Sequence, residues 1–281
     1  MLTTTNDAPK TLRLGGSAQE TNSLFGPLEG LIGTWVGAKG WNLIAVPNQK
    51  GGFRLLVAPY IETLIITPLS TPTPNRGTSI IQEVPTLMYS LTINDLNDGS
   101  LLHAENGTWL LLPDCPSEFT IARQASVPHG DSVLALGSSY VTEGPPNIGA
   151  ISTLPITGGG APLGYTDPYL VPLPAGFNKV NPNATLLDDI KDQKIIKTTT
   201  LSVSTANQGG ISNIPFITKN ANTTLFEATF WIETVQNPAT GQTFQQLQYS
   251  QNTIIEFIPQ FQDPSKLIEW PHVNINTLVK K

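Results

Sequence analysis

The stretch that decides the fold runs from Leu87 to Asn94 and reads LMYSLTIN. Its odd-numbered positions are all apolar, and its even-numbered positions, apart from Met88, are polar. Alternation with a period of two is typical of a half-buried β-strand and differs from the spacing of an amphipathic helix. The stretch therefore predicts one strand of a sheet that turns one face toward a core.

The same kind of signal recurs in both directions along the chain. Further strands are predicted at Gly33–Gly37, Trp41–Val46, Phe53–Val57, Glu62–Thr67, Leu101–Leu112, Phe119–Ala125, Ser132–Val141, Lys197–Thr205, Thr223–Val235, Thr243–Phe257 and Trp270–Val279, with a Pro-rich loop at Pro68–Gly77. Roughly ten strands without a long helix indicate an all-β protein, a single antiparallel β-barrel, because closing the sheet removes its exposed edges. A barrel of this size can hold one small ligand in its lumen.

The composition agrees with many strands and turns. Charged residues make up only 13% of the 281 residues, and there are 24 Gly and 24 Pro. The net charge is −6 without any basic run, so we expect no nucleic-acid partner. No apolar stretch is long enough for a transmembrane helix, no secretory signal is found, and the single Cys115 cannot form an internal disulfide. These features predict a cytoplasmic protein without a membrane partner.

The predicted domain organisation has three parts. Residues 1–22 are predicted to be a disordered lead-in, and residues 23–281 form the barrel domain. Apolar spacing within Ser23–Ile32 predicts one or two helical turns that plug one end of the barrel. Residues 142–194 are rich in Gly and Pro and form an insertion, which we expect to pack over the barrel as a lid or as a surface strap.

Three histidines, His103, His129 and His272, are the main candidates for chemistry. Together with one cysteine they lack the spacing of a zinc site. The sequence also contains no Gly-x-Ser-x-Gly elbow, no Walker loop and no Gly-x-Gly-x-x-Gly motif. These absences argue against hydrolases of the α/β class and against nucleotide-binding enzymes.

His272 lies in the last predicted strand, where it shares a face with Trp270 and Asn274. A neutral imidazole that faces an apolar lumen is a good axial ligand for haem iron. The alternative is a half-buried histidine that bonds a neighbour and supports the barrel mouth.

His103 and Glu105 share a face of another predicted strand and are candidate catalytic residues, since such a pair can shuttle protons. A hydrogen-bonded structural pair is the alternative, and His129, in a turn, is expected to be exposed. Large aromatic side chains usually pack in cores or line lumens. We predict that four of them contact a cofactor: Trp35, Trp41, Trp109 and Trp270.

Four segments together resemble the nitrobindin-like haem-binding β-barrels, which are related to the calycins and fatty-acid-binding proteins. They are LEGLIGTWVG at 28–37, HAENGTW at 103–109, VPHG at 127–130 followed by VLALG at 133–137, and HVNINTL at 272–278. The resemblance spans about residues 24–141 and 195–281. Residues 142–194 have no counterpart, and His129 stands where the family has Arg.

The resemblance implies a b-type haem whose iron is ligated by His272, because the family's closing-strand histidine is the proximal ligand. It also implies reactivity toward peroxide or small nitrogen oxides, as in a haem-dependent peroxidase or isomerase. Two other functions stay open: a haem-free carrier or sensor of a small apolar ligand, and a structural barrel with a filled lumen. In the last case the insertion would contact an identical subunit in a homodimer.

Overall fold

Ten antiparallel strands close into a single barrel in the computed structural model, which describes residues 24–113, 118–159, 164–172 and 174–281. The predicted lead-in and Cys115 lie outside the described residues. The strands are β1 Gly33–Pro47, β2 Phe53–Pro68, β3 Thr73–Arg76, β4 Ile81–Val84, β5 Thr86–Asp95, β6 Leu101–Leu111, β7 Ile121–Val127, β8 Asp131–Glu143, β9 Lys194–Asn213, β10 Asn222–Gln236, β11 Thr243–Pro259 and β12 Leu267–Lys280.

The order around the barrel is β1, β12, β11, β10, β9, β8, β7, β6, β5 and β2, after which β2 pairs with β1. Almost every strand therefore lies beside its neighbour in sequence, and the first and last strands close the ring. The prediction of an all-β closed antiparallel barrel is confirmed.

Two details of the strands differ from the prediction. The first four predicted strands join in pairs into two long strands, β1 and β2. The residues between them continue the pairing of β1 with β2, which is interrupted by a bulge at Gly37–Gly40. Part of the predicted Pro-rich loop is instead the strand β3, which pairs with β4 as a separate two-stranded sheet. Proline is tolerated there because both strands are edges.

The N-terminal plug is present as a 3-10 helix at Gly26–Leu31. Phe25, Leu28 and Leu31 are fully buried in the main core, where they pack with barrel residues such as Trp35 and Trp109. One end of the barrel is therefore sealed by apolar side chains.

The insertion packs on the outer surface of the barrel. It carries two short helices, Asp167–Leu170 and Asn183–Ile190, and a third helix, Pro215–Asn220, follows β9. Tyr169, Leu186 and Ile190 form a second core with barrel residues that include Trp231 and Ile275. Among the described residues, no helix is long and apolar enough to cross a membrane.

Candidate ligand-binding cavity

A cavity of about 480 Å³ lies inside the barrel. Its volume falls within the range of roughly 300–1,000 Å³ that is typical of small-molecule sites. Apolar side chains form most of its wall, among them Ile44, Leu64, Leu91, Val133 and Phe230. The lumen is therefore not filled by side chains, which argues against the purely structural barrel.

We call the part of the cavity next to the plugged core its inner end, and it contains Glu62, Glu105, Arg123 and Tyr249. The opposite part, with His103, His129 and His272, is the outer end. Ile217 of the helix Pro215–Asn220 also lines the cavity. No described residue of the insertion lines this space.

A buried ion pair occupies the inner end. Arg123 on β7 is 3% exposed, and its Nη2 donates to Oε1 of Glu105 on β6 at 2.7 Å. Its Nη1 donates to Gln251 Oε1 at 3.0 Å, its Nε donates to the Tyr89 hydroxyl at 3.3 Å, and that hydroxyl also bonds Glu105. All the donor nitrogens of Arg123 thus have partners within the protein.

Aromatic rings surround the same guanidinium group. Its carbon lies 5.2 to 5.8 Å from the ring centroids of Tyr89, Trp109, Phe226 and Phe230. Cation–π contacts of this kind partly replace the lost hydration of a buried cation. Burial alone would raise the pKa of Glu105, but Arg123 together with the hydrogen bonds from His103 and Tyr89 outweighs burial and lowers that pKa to about 2. The pair is therefore ionised at neutral pH.

Glu62 on β2 is the second carboxyl group of the inner end and is 1% exposed. Its Oε2 is hydrogen-bonded to the Tyr249 hydroxyl at 2.6 Å and accepts from Asn276 Nδ2 at 2.9 Å. Burial raises the pKa of Glu62 to about 7, although these hydrogen bonds and Arg123 act in the opposite direction. The two carboxyl groups of the inner end thus have different charge states below neutral pH.

The outer end brings the three histidines to one cavity. His103 Nε2 lies 3.3 Å from Glu105 Oε2, which confirms the predicted pairing of these two residues. The rings of His103 and the exposed His129 are 5.7 Å apart between centroids. Asp131 also lines this end, and one of its carboxylate oxygens is buried without a partner among the described residues.

His272 stands on the cavity wall beside two asparagines. Its Nε2 lies 2.7 Å from Asn42 Oδ1, which also accepts from Asn274 Nδ2 at 2.9 Å. Because an amide oxygen only accepts, Nε2 carries the hydrogen and the unshared electron pair of the neutral ring is on Nδ1. Burial, helped by His103 and His129, lowers the pKa of His272 to about 3, so the ring is neutral.

The fit of His272 to haem is thus incomplete. Its neutral ring and its position on the wall of a ligand-sized cavity suit an axial ligand. Its Nε2, however, is engaged by Asn42, so ligation through this atom needs that hydrogen bond to break. In the described part of the chain, no group of three or more His, Cys, Asp or Glu side chains is arranged to hold a metal ion.

The four tryptophans predicted to contact a cofactor separate into two groups. Trp109 lines the cavity, while the other three lie elsewhere. Trp35 packs against the plug, and its Nε1 donates to Leu31 O at 2.7 Å. Trp41 stacks on Phe177 of the insertion, with 4.5 Å between the ring centroids. Trp270 packs against Phe53, Tyr165 and Phe257. The bulge in β1 explains Trp41, since it reverses which face the odd-numbered residues occupy, whereas Trp35 lies inward at the plugged end of the barrel.

Arg123 is not among the site residues predicted from the sequence, although its sequence context contains a signal. Arg123 lies between Ile121 and Ala125 on the inward face of a predicted strand. Arginine is almost never buried unless it is paired, so its place in an apolar alternation marks a functional or paired residue. Its partner Gln251 is distant in sequence, and no local pattern identifies it.

No protein-family model and no curated protein matches the chain. Among solved structures, the chain is similar to the crystal structure of Rv2717c from M. tuberculosis, with 16% sequence identity and a TM-score of 0.48. The match covers 92% of this chain and 97% of that chain.

Proposed function

We propose that this protein binds one small, largely apolar molecule inside its barrel, as a carrier or sensor. The observation that carries the proposal is the cavity of about 480 Å³ within an otherwise packed barrel. Protein interiors are normally close-packed, because every void forfeits contacts. An apolar space of this size is therefore expected to have an occupant that supplies those contacts.

The polar groups of the cavity support the same function. Ligand sites are mostly apolar and contain a few fixed polar groups that orient the ligand. The Arg123–Glu105 pair and the Glu62–Tyr249 pair occupy one end only, so they distinguish an inner end from an outer end for the bound molecule.

A cavity-filling variant tests this proposal. Ala125 lines the cavity, so Ala125→Phe places a ring inside it, whereas Gln124→Phe places the same ring on the exposed face of the same strand. We expect the neutral fluorescent probe phenylnaphthylamine to bind the native protein and Gln124→Phe equally, and Ala125→Phe at least about tenfold more weakly. Equal binding by all three proteins would show that the probe lies outside the barrel and would refute the proposal.

A b-type haem ligated by His272 is the second candidate occupant, favoured by the neutral imidazole on the cavity wall and by the resemblance of the closing strand. When bound, haem would supply an open coordination position for peroxide or a small nitrogen oxide. Across the barrel on β6, His103 with its partner Glu105 would hold or release a proton.

Haem titration of three proteins decides between the two candidates. If His272 ligates the iron, His272→Ala loses the Soret band, whereas Asn42→Ala binds haem more tightly because Nε2 no longer bonds an amide oxygen. If the cavity serves a haem-free carrier, none of the three develops a band, and His272→Ala still binds phenylnaphthylamine.

A further inference from the structure

Glu62 has an oxygen that the protein itself does not use. Both of its hydrogen bonds, to Tyr249 and to Asn276, are made by Oε2. Among the described residues nothing bonds Oε1, and the side chain lines the cavity. Each nitrogen of Arg123, in contrast, already donates within the protein, to Tyr89, Gln251 and Glu105.

The hydrogen bonds around Glu62 indicate whether its carboxyl group is protonated, and on which oxygen. The Tyr60 hydroxyl lies 2.9 Å from Ile275 O and 2.7 Å from the Tyr249 hydroxyl, which lies 2.6 Å from Glu62 Oε2. Each phenol has one hydrogen, and a peptide oxygen only accepts. Tyr60 therefore donates to Ile275 O, and Tyr249 donates to Tyr60. Because Tyr249 then has no hydrogen left, the contact between its hydroxyl and Glu62 Oε2 needs a hydrogen from Glu62. All three bonds form when Glu62 is protonated on Oε2.

The surroundings agree with a neutral acid. Glu62 is influenced by Tyr60 on its own strand, by Tyr249 on β11, by the cation Arg123 on β7 and by the anion Glu105 on β6. Burial is the largest of the effects and raises the pKa of Glu62 to about 7. With its hydrogen on Oε2, the acid presents a carbonyl-type oxygen, Oε1, to the cavity.

We propose that Oε1 of Glu62 accepts a hydrogen bond from the ligand, so that the cavity takes an apolar molecule with an uncharged donor, such as an alcohol or phenol hydroxyl, at its inner end. This inference rests on the proposed ligand-binding function. Neither a ligand carboxylate nor a ketone offers a hydrogen to Oε1.

Three molecules of nearly the same shape test the proposal: benzhydrol carries a hydroxyl, benzophenone a carbonyl and diphenylmethane neither. Their binding to the native protein is measured by titration calorimetry at about pH 6, where Glu62 is mostly protonated. We expect benzhydrol to bind about tenfold more tightly than either of the others, as one hydrogen bond in a buried site provides.

Two variants of Glu62 assign the effect to this residue. Glu62→Gln keeps the free oxygen and can donate to Tyr249 from its amide nitrogen, although it loses the bond from Asn276, so the preference for benzhydrol should persist. Glu62→Met keeps the length of the side chain but removes the acceptor, so the three molecules should bind with equal affinity. Glu227→Met, on the exposed face of β10, is the matched control and should behave as the native protein does.

Other results would overturn the inference. Benzophenone binding at least as tightly as benzhydrol would show that the ligand accepts a hydrogen bond in the cavity rather than donating one to Glu62, and equal binding of all three by the native protein would show that Glu62 does not contact the ligand. Loss of the preference in Glu62→Gln, with its melting temperature unchanged, would also contradict it. If none of the three binds, the proposed ligand-binding function itself fails.

Discussion

Buried polar groups are hydrogen-bonded to different extents on the two faces of strands β10 and β11. On the inner face, Tyr249 and Gln251 join the networks around Glu62 and Arg123. On the outer face, beneath the insertion, several side chains make some bonds but leave others unmade. Within the described residues, the buried atoms without a partner there include Trp231 Nε1, Glu233 Oε1, Gln248 Oε1 and Ser250 Oγ of the barrel, and Tyr169 OH and Asn183 Oδ1 of the insertion.

This difference indicates how the two regions are held together. A buried polar atom without a partner costs free energy unless water reaches it, so the layer beneath the insertion needs bound water. In the inner networks the ionised groups Arg123 and Glu105 are bonded to each other and to neighbouring side chains, and Glu62 Oε1 is left for a ligand. We infer that the barrel lumen is the rigid part of the molecule and that the insertion is the more weakly attached part.

The largest effect is expected from breaking the inner ion pair. Arg123→Met leaves the ionised Glu105 buried without its cation, which should lower the free energy of unfolding by about 3–5 kcal/mol. Chemical denaturation measures the change. The double variant Arg123→Met/Glu105→Gln should recover part of the loss, because no buried charge is then unpaired, and a double variant as unstable as the single one would contradict this explanation.

The contribution of the outer layer to the free energy of unfolding should depend on pH through Glu233. This residue is fully buried, and its Oε2 accepts from Gln246 at 2.6 Å. Burial raises the pKa of Glu233 from 4.5 to about 8. The unfolded chain therefore loses this proton first, so the stability present below about pH 4.5 is lost as the pH rises to about 8. Glu233→Gln should be more stable than the native protein at pH 8 by about 4 kcal/mol, and equal to it at pH 4.

The stability contributed by Glu105 should depend on pH in the opposite direction, so the two residues can be compared within one protein. Its pKa is lowered from 4.5 to about 2, so its contribution is present above pH 4.5 and is lost as the pH falls toward 2. Melting temperatures recorded across this range for Glu233→Gln and Glu105→Gln separate the two regions. A Glu233→Gln profile parallel to that of the native protein would show that the pKa of Glu233 is the same in the folded and unfolded states.

A smaller effect is expected where the insertion contacts the barrel through Phe177, whose ring stacks on Trp41 at 4.5 Å. Phe177→Leu keeps an apolar side chain but removes the stacking, which is worth about 0.5–1.5 kcal/mol. Limited proteolysis should cut the insertion of this variant faster while the barrel stays intact. Simultaneous loss of both parts would show that they unfold as one unit.

The smallest effect is expected from the surface ion pair that also joins the two parts. Lys39 lies 3.0 Å from Asp189 of the insertion, and its side chain is 55% exposed. Exposed pairs of this kind contribute roughly 0–1 kcal/mol, so Lys39→Ala should shift the melting temperature by at most a degree or two. A larger shift would make this pair a principal attachment of the insertion.

Local patterns in the sequence determined most of the architecture. Alternation of apolar and polar residues predicts the strands, as in Leu87–Asn94, because one face of each strand has to meet the core. The same rule places His103 beside Glu105 on one face, and the apolar spacing of the N-terminal segment predicts its helical plug. These features depend only on neighbours a few residues apart.

The tertiary structure alone decided the cavity and its contacts. Closure of β1 on β12 brings Asn42 to His272, and the barrel register brings Glu62 to Tyr249 and Arg123 to Gln251. The bulge at Gly37–Gly40, where a Cβ on Gly40 would lie 2.1 Å from the Tyr60 ring, decides which tryptophan of β1 turns inward. Alternation assigns a residue to a face, but the partner it meets there depends on the register of strands far apart in the chain.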